Sequence, residues 1–169
     1  MKKLVISLLI VCLSLVTFGQ GNPPATAATT ASSLSKLFSN NEINLDLGFA
    51  YNDVSDGKFS PLVGASYYPW KHFGIRGMTQ IDMNNSAAFN NGEFVGIVRL
   101  PLWVVAPYIG GGCKVKFNDN TDVSPIFLGG VSARINNRWS VFSEGVWNAE
   151  KLVDLTEYTI KLGVSLRLH

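Results

Sequence analysis

Apolar and polar side chains alternate one by one along several segments of this chain, which is the pattern of a β-strand with two unlike faces. In the first such segment the apolar residues share one face, namely Ile43, Leu45, Leu47, Phe49 and Tyr51. The opposite face is small or polar, with Asn44, Asp46, Gly48 and Ala50. Residues 158–168 repeat the pattern, with apolar side chains on one face, beginning with Tyr158, and Lys161 and Arg167 on the other. Both segments therefore predict strands that have an apolar environment on one face and a polar environment on the other.

Six further segments between these two alternate in the same way. We predict strands at 59–69, 72–82, 93–101, 104–117, 125–135 and 138–148. Two of them are ambiguous, because Val95 shares a face with Glu93 and Phe142 shares one with Glu144. A charge that faces hydrocarbon costs more than an apolar group in a lumen, so we assign both of these faces to the inside.

The connections between the predicted strands alternate in length. Four are long, at 52–58, 83–92, 118–124 and 149–157, and three are tight, at 69–71, 102–103 and 136–138. Short turns at one end and longer loops at the other are typical of transmembrane barrels, whose closed ring satisfies the backbone hydrogen bonds of every strand. Residues 42–169 therefore predict an all-β fold, an eight-stranded antiparallel up-and-down transmembrane β-barrel.

The N-terminal part of the chain differs in composition from the rest. Two lysines precede an apolar run over residues 4–18, so residues 1–19 are predicted to be a cleaved signal peptide, with an uncleaved anchor as the alternative. Residues 20–41 are rich in Pro, Ala, Thr and Ser, which predicts a flexible periplasmic leader. A second interpretation is that Leu34, Leu37 and Phe38 make one helical turn, which would form a short plug or a periplasmic contact.

Charge argues against a nucleic-acid partner. The whole chain has 14 basic and 12 acidic residues, and removal of residues 1–19 takes away two lysines and no acids. The exported part is then formally neutral, whereas nucleic-acid binding needs a basic surface. Of the two cysteines only Cys113 remains after this removal, so no intramolecular disulfide is expected.

The predicted lumen carries many charged side chains. They are Asp46, Arg76, Glu93, Arg99, Lys114, Arg134, Glu144, Lys161 and Arg167. An eight-stranded barrel has room only for its own side chains, and buried charges survive only when they are paired. We therefore predict an ion-pair network that fills the bore, with Glu93 and Glu144 as its acidic centres. The alternative is a narrow ion path, which the excess of cationic side chains would make selective for anions.

Tryptophan placement is typical of a barrel in a bilayer. Trp70, Trp103 and Trp139 lie at or beside the three tight turns, and Trp147 ends a strand next to a long loop. Indole rings prefer the headgroup level of a membrane, where the ring is half buried and its N–H finds water. These residues therefore predict an aromatic belt. The alternative is that they belong to the core of a soluble β-sandwich.

The long loops are predominantly acidic. Asp53, Asp56, Asp119 and Asp122 are candidates for an acidic outer rim that binds divalent cations or a basic partner. Residues 119–122 fall far short of a calcium-binding EF-hand loop, and solvated loop charge is the alternative interpretation. We predict neither a metal site nor a cofactor.

Several strand segments also resemble a known family. Residues 106–112, 128–134 and 137–144 look like consecutive strands of the OmpA/OmpX-like small outer-membrane barrels, and residues 64–69 fit the same pattern. The resemblance covers residues 42–169 and implies a protein of the bacterial outer membrane, in contact with its lipid and lipopolysaccharide and inserted by the barrel-insertion machinery. One departure is the end at His169, where such barrels usually have an aromatic residue.

Signals for catalysis are weak. Neither His72 nor His169 adjoins a nucleophile and a carboxylate in sequence, so we predict no catalytic residues and no enzyme. The expected function is that of a monomeric outer-membrane barrel with a structural or adhesion-like surface role, with an extracellular ligand bound through the long loops. Two alternatives remain: a narrow porin-like channel, and an exported soluble barrel that binds an apolar ligand.

Overall fold

The chain forms one closed ring of eight strands. A computed structural model describes residues 37–52, 58–81, 89–117, 122–149 and 158–168. The strands are β1 (Glu42–Asn52), β2 (Lys58–Trp70), β3 (Phe73–Ile81), β4 (Phe89–Arg99), β5 (Val105–Lys116), β6 (Asp122–Arg134), β7 (Trp139–Asn148) and β8 (Tyr158–Arg167). Each strand pairs antiparallel with the next, and β8 pairs with β1. The predicted eight-stranded up-and-down barrel is confirmed.

Closure removes the free edges that an open sheet would present. Strand β1 pairs with β2 from Glu42 opposite Tyr68 to Asn52 opposite Lys58. On its other side it pairs with β8, with Gly48 opposite Gly163. Because each strand is hydrogen-bonded on both sides, the ring needs no water to satisfy its backbone, which is the condition for a sheet in lipid.

The side chains of each strand alternate between the lumen and the outer surface as predicted. In β4 the side chains of Val95 and Ile97 are 5% and 2% exposed, whereas Phe94 on the other face is 60% exposed. In β7 both Phe142 and Glu144 are buried. The assignment of these two ambiguous faces to the inside is therefore confirmed.

The core of the molecule is the lumen itself. One apolar cluster fills the side formed by β4 to β7, with Val95, Ile97, Ile126, Leu128 and Val146 beside two tyrosines, Tyr68 and Tyr108. Glycines on adjacent strands, directly opposite the ring residues in the ladder, make room for the lumenal rings. A Cβ on Gly130 would lie 2.8 Å from the Tyr108 ring, and a Cβ on Gly163 would lie 2.6 Å from the Phe142 ring.

The three tight turns and both ends of the described barrel lie together at one end, which we call the tight-turn end. In the turn between β6 and β7, the Asn136 side-chain oxygen accepts hydrogen bonds from the amides of Arg138 and Trp139, each at 2.8 Å. This is the local bonding by which Asn favours turns. The opposite end, from which the four longer connections leave, is called the long-loop end.

Two strands begin several residues earlier than the alternation indicates. Strand β4 starts at Phe89 instead of residue 93, and β6 starts at Asp122 instead of residue 125. The sequence prediction ended where apolar residues stop alternating, but ladder pairing continues through polar residues such as Asn91 opposite Lys116. Asp122 is thus the first residue of a strand, opposite Lys116, and not part of a loop.

Candidate functional site

A chain of charged side chains crosses the bore, and we call it the central ion-pair chain. Its members are Arg76, Glu144, Lys161, Glu93 and Lys114, which come from β3, β7, β8, β4 and β5. Arg76 Nη2 lies 2.6 Å from Glu144 Oε2, and Lys161 Nζ lies 3.4 Å from Glu144 Oε1. Lys161 also contacts Glu93, whose Oε1 is 3.8 Å from Lys114 Nζ. Five strands are thereby tied together through one connected set of charges.

Most side chains of the central ion-pair chain are buried. The side chains of Arg76, Glu144 and Lys161 are 5%, 0% and 1% exposed. Such charges are expensive to bury unless the pairing geometry is good and further hydrogen bonds are present. Glu144 meets this condition, because its Oε2 accepts hydrogen bonds from Arg76 and from the Tyr108 hydroxyl at 2.8 Å.

A second ionic group, which we call the mouth cluster, lies at the tight-turn end. Glu42, the first residue of β1, is fully buried, and its carboxylate forms ion pairs with two arginines. Arg99 donates to it at 3.0 Å through Nη2 and at 3.4 Å through Nη1, and Arg134 contacts its Oε1. The Arg99 guanidinium also stacks on Tyr68, with its carbon 3.6 Å from the ring centroid.

Glu42 was absent from the charged residues predicted for the lumen. It is the first residue of the predicted barrel and precedes the first apolar residue of the alternating segment, so the alternating positions considered for the lumen did not include it. A signal was nevertheless present, because Glu42 has the same parity as Asn44 and Asp46, which were assigned to the lumen face. Continuing the lumen-facing positions 46 and 44 back to position 42 identifies Glu42 as a lumen residue.

The five residues before β1 close the tight-turn end, and we call residues 37–41 the stopper. Leu37 and Phe38 are 4% and 7% exposed and pack with Ala106. The Phe38 ring centroid lies 5.0 Å from the guanidinium carbon of Arg99 and 5.2 Å from that of Arg134. Both distances are within the range of cation–π attraction.

Hydrogen bonds hold the stopper against the barrel. The Lys71 amide donates to Asn40 Oδ1 at 2.9 Å, and Arg167 donates to Ser39 Oγ and, at 3.4 Å, to the Leu37 carbonyl. Residues 37–41, the part of the predicted leader that the structure describes, are therefore packed against the barrel. Residues 1–36, with the predicted signal peptide, lie outside the described part of the chain.

The charged residues predicted for the bore fall into different surroundings. Five form the central ion-pair chain, while Arg99 and Arg134 belong to the mouth cluster and Arg167 contacts the stopper. Asp46 also faces the lumen and is 3% exposed, opposite Ser165 on β8. Among the described residues, no ion pair within 4 Å includes Asp46.

The other predicted site residues lie on the outer surface or beyond the described part. Trp70, Trp103 and Trp139 are 64%, 57% and 41% exposed at the tight-turn end, and Trp147 is half buried near the long-loop end. Asp122 is exposed, whereas the remaining candidates for an acidic rim, Asp53, Asp56 and Asp119, fall outside the described residues.

The described residues lack two features that other kinds of site or membrane protein have. No group of three or more His, Cys, Asp or Glu side chains within them is arranged to hold a metal ion. None of their helices has the length and apolar character that crossing a membrane requires.

Comparisons with known proteins identify the fold. No protein-family model matches the chain, and no curated protein matches it. Among solved structures, a designed transmembrane β-barrel is similar at a TM-score of 0.60 and 16% identity, over 77% of this chain and 98% of the design. A second design, TMB2.3, gives a TM-score of 0.58 at 18% identity, over 76% and 97% of the two chains.

A natural protein gives a comparable result. The N-terminal β-barrel domain of OprF from Pseudomonas aeruginosa has a TM-score of 0.55 at 12% identity, over 76% of this chain and 98% of that domain. Identities this low establish similarity of fold alone. At that level the predicted resemblance is confirmed, and the chain has the fold of the small eight-stranded outer-membrane barrels.

Proposed function

We propose that this chain is a protein of the bacterial outer membrane, where its sealed barrel serves as an anchor with a structural or adhesive role at the surface. The observation that supports this most directly is the inverted distribution of polarity. Ile75, Phe94 and Leu162 on the outer face are 63%, 60% and 56% exposed, whereas Glu144 and Lys161 in the lumen are buried. A soluble protein of this size does not expose so continuous an apolar surface.

The bore is better suited to an anchor than to a channel. An ion that crossed it would have to displace the Arg76–Glu144 and Lys161–Glu93 pairs, each of which is buried. It would then meet the stopper, where Phe38 is 7% exposed and lies beside the guanidinium groups of Arg99 and Arg134. Two separate layers of packed side chains thus oppose passage.

The partners follow from the same distribution. We propose that the apolar collar contacts outer-membrane lipid and lipopolysaccharide, that residues 1–19 direct export, and that barrel-insertion machinery assembles the monomer. The four long connections would face the outside and present any surface for an extracellular ligand. We propose no enzymatic activity.

Membrane fractionation tests the location. The full chain, produced in a Gram-negative host, should appear in the outer-membrane fraction and migrate faster on a denaturing gel before heating than after it, because the closed barrel resists unfolding by detergent. A chain that stays monodisperse in plain buffer would contradict the proposal, since it would not expose a lipid-facing collar.

Conductance in planar bilayers tests the seal separately. The purified barrel should show no steady single-channel openings. Steady openings would overturn the sealed-anchor proposal and favour the narrow channel, even if fractionation supports the outer membrane.

Deletion in the native host separates the two surface roles. Greater sensitivity to detergents would support envelope stabilisation, and loss of surface attachment would support adhesion. A strain unchanged in both properties would contradict the proposed role.

A further inference from the structure

An open groove lies beside the tight turn between β6 and β7, and we call it the rim groove. Its volume is about 510 Å³, which is within the range of sites for small organic ligands. The turn residues 135–139 line it together with Leu37 of the stopper, Val104 and Arg134. The groove therefore lies where the stopper meets the rim of the barrel.

Both faces of the barrel wall contribute to the rim groove. Ile135 and Trp139 are 66% and 41% exposed and continue the outer faces of β6 and β7. Arg134 and Leu37, by contrast, are buried at the mouth of the barrel. The groove is thus apolar where it adjoins the lipid-facing surface and polar along the turn, at Asn136, Asn137 and Arg138.

The exposed charge at this end of the barrel is cationic. Arg138 and Lys71 are exposed at tight turns, while Arg134 is already paired with Glu42. The acidic residues that the structure describes are either buried or, as Asp122 is, placed at the long-loop end. None of them lines the rim groove. An anionic group that entered the groove would therefore meet a guanidinium without a competing carboxylate from the described residues.

This combination of surfaces indicates an amphiphilic anion. A guanidinium recognises phosphate through paired charge-assisted hydrogen bonds, and asparagine side chains carry further N–H donors. An exposed isoleucine and an indole suit the glycerol region and the start of an acyl chain, since indole prefers the headgroup level of a membrane. A free phosphate ion would use only the polar part of the groove, whereas a phospholipid uses both parts.

We propose that the rim groove binds an anionic phospholipid, with its phosphate at Arg138 and an acyl chain along Ile135 and Trp139. This inference rests on the proposed function, which places the tight-turn end at the periplasmic leaflet. The leader is a poorer occupant, because residues 20–36 contain one lysine and no acid. A second copy that docked through the same end would bring like charge.

Native mass spectrometry of the full chain in detergent measures the lipid affinity. Phosphatidylglycerol should bind about fivefold more tightly than phosphatidylcholine with the same acyl chains, as expected for one basic residue beside an anionic lipid. Equal affinities would overturn the proposal. Displacement of the lipid by glycerol phosphate would also overturn it, because the apolar part of the groove would then contribute nothing. A dimer in place of the lipid complex would assign the groove to a second copy and overturn it as well.

Matched substitutions locate the site. Arg138→Gln should abolish the preference for phosphatidylglycerol. Lys71→Gln removes an exposed cation at the same end but outside the groove, and Lys116→Gln removes one at the long-loop end. Both of these variants should keep the preference. An equal loss in Lys71→Gln and Arg138→Gln would mean a general attraction between charges, and would overturn a site at the groove.

The indole N–H signals of the natural chain provide an NMR test that needs no folding variant. Stepwise replacement of phosphatidylcholine by phosphatidylglycerol in lipid nanodiscs should shift the Trp139 signal to saturation. Trp147, near the long-loop end, is the control and should not shift. A Trp139 signal that ignores phosphatidylglycerol would overturn the proposal, and one that shifts instead in Leu34→Ala would assign the groove to the leader.

Failure of the lipid site can be separated from failure of the proposed location. A chain that fractionates with the outer membrane but shows no preference for phosphatidylglycerol would keep the location and overturn the lipid site. A chain absent from that fraction would overturn the location, and with it the lipid site, whatever its affinity in detergent.

Discussion

Glu144 is the residue on which the central ion-pair chain depends. Its carboxylate receives Arg76 at 2.6 Å and the Tyr108 hydroxyl at 2.8 Å, and Lys161 lies 3.4 Å away. Removing one partner of a buried ion pair leaves the other charge buried without a partner. The loss of stability is then larger than the stability that the pair itself contributes. The stability of the barrel should therefore respond strongly to this one side chain.

We expect Glu144→Gln to lower the free energy of unfolding by about 3–5 kcal/mol, because Arg76 would be left as a buried charge without its counter-ion. Urea titration in lipid vesicles measures the change. Asp122→Asn, at an exposed position, is the control and should stay within about 0.5 kcal/mol of the natural chain. Equal values for the two variants would show that the pairing in the bore contributes little.

A double variant separates pairing from packing. Arg76→Met combined with Glu144→Leu removes both charges and keeps side-chain volume. It should recover most of the stability lost in Glu144→Gln, because apolar replacement of a whole buried pair is often neutral. A double variant less stable than the single one would mean that the pair itself is strongly stabilising.

At the scale of elements, alternation predicted the strands well because each strand has opposite surroundings on its two faces. The positions of the stopper and of Glu42 depend instead on contacts between residues that are distant in sequence. The contact between Arg134 and Glu42 joins residues 92 positions apart, and the Arg167–Ser39 contact joins residues 128 apart. Pairings this distant leave no local periodicity, so sequence patterns found the faces of the barrel but not the closure of its mouth.

The stopper should open as a local unit without unfolding the barrel. Phe38→Ala removes the ring that contacts the guanidinium groups of Arg99 and Arg134. Each such contact contributes about 0.5–2 kcal/mol. We expect the Lys71 amide, which donates to Asn40 in the stopper, to exchange its hydrogen at least about tenfold faster. Amide exchange in the centre of β7 should be unchanged.

A lipid-facing control isolates the stopper effect. Phe49→Ala removes a ring of the same size on the outer face, which is 60% exposed, and should not alter exchange at Lys71. If both variants accelerate Lys71 equally, or if β7 opens together with the stopper, the segment is part of the barrel and not a separate unit.

At the scale of the whole molecule, the barrel is apolar outside and ionic inside, so the bilayer takes part in its stability. We expect Leu162→Arg in the middle of β8 to cost about 2–4 kcal/mol in lipid, because the charge enters hydrocarbon. Leu168→Arg, which follows the end of β8, should cost about 0–1 kcal/mol near the interface. Folding titrations in vesicles measure both, and similar costs would contradict the membrane orientation.

Closure of the ring depends on the seam between its first and last strands. At this seam Gly163 lies opposite Gly48, and a Cβ on Gly163 would come within 2.3 Å of the Leu47 carbonyl and 2.6 Å of the Phe142 ring. Gly163→Ala should therefore force β8 away from β1 and cost about 1–3 kcal/mol, as overpacking does. The measurement is the fraction of chain that shows heat-modifiable gel mobility after refolding.

The same substitution on the outer face provides the comparison. A Cβ on Gly96 would have its nearest neighbour, the Gly111 carbonyl, at 3.9 Å, and would point into open space. Gly96→Ala should fold as well as the natural chain, or about 0.4–1 kcal/mol better, because alanine restricts the unfolded state. Since both substitutions add one methyl group to a strand, a lower closed fraction for Gly163→Ala alone would locate the constraint in the lumenal seam. Equal closed fractions would instead mean that the seam adapts to the added methyl group, and that closure does not depend on close backbone approach at this position.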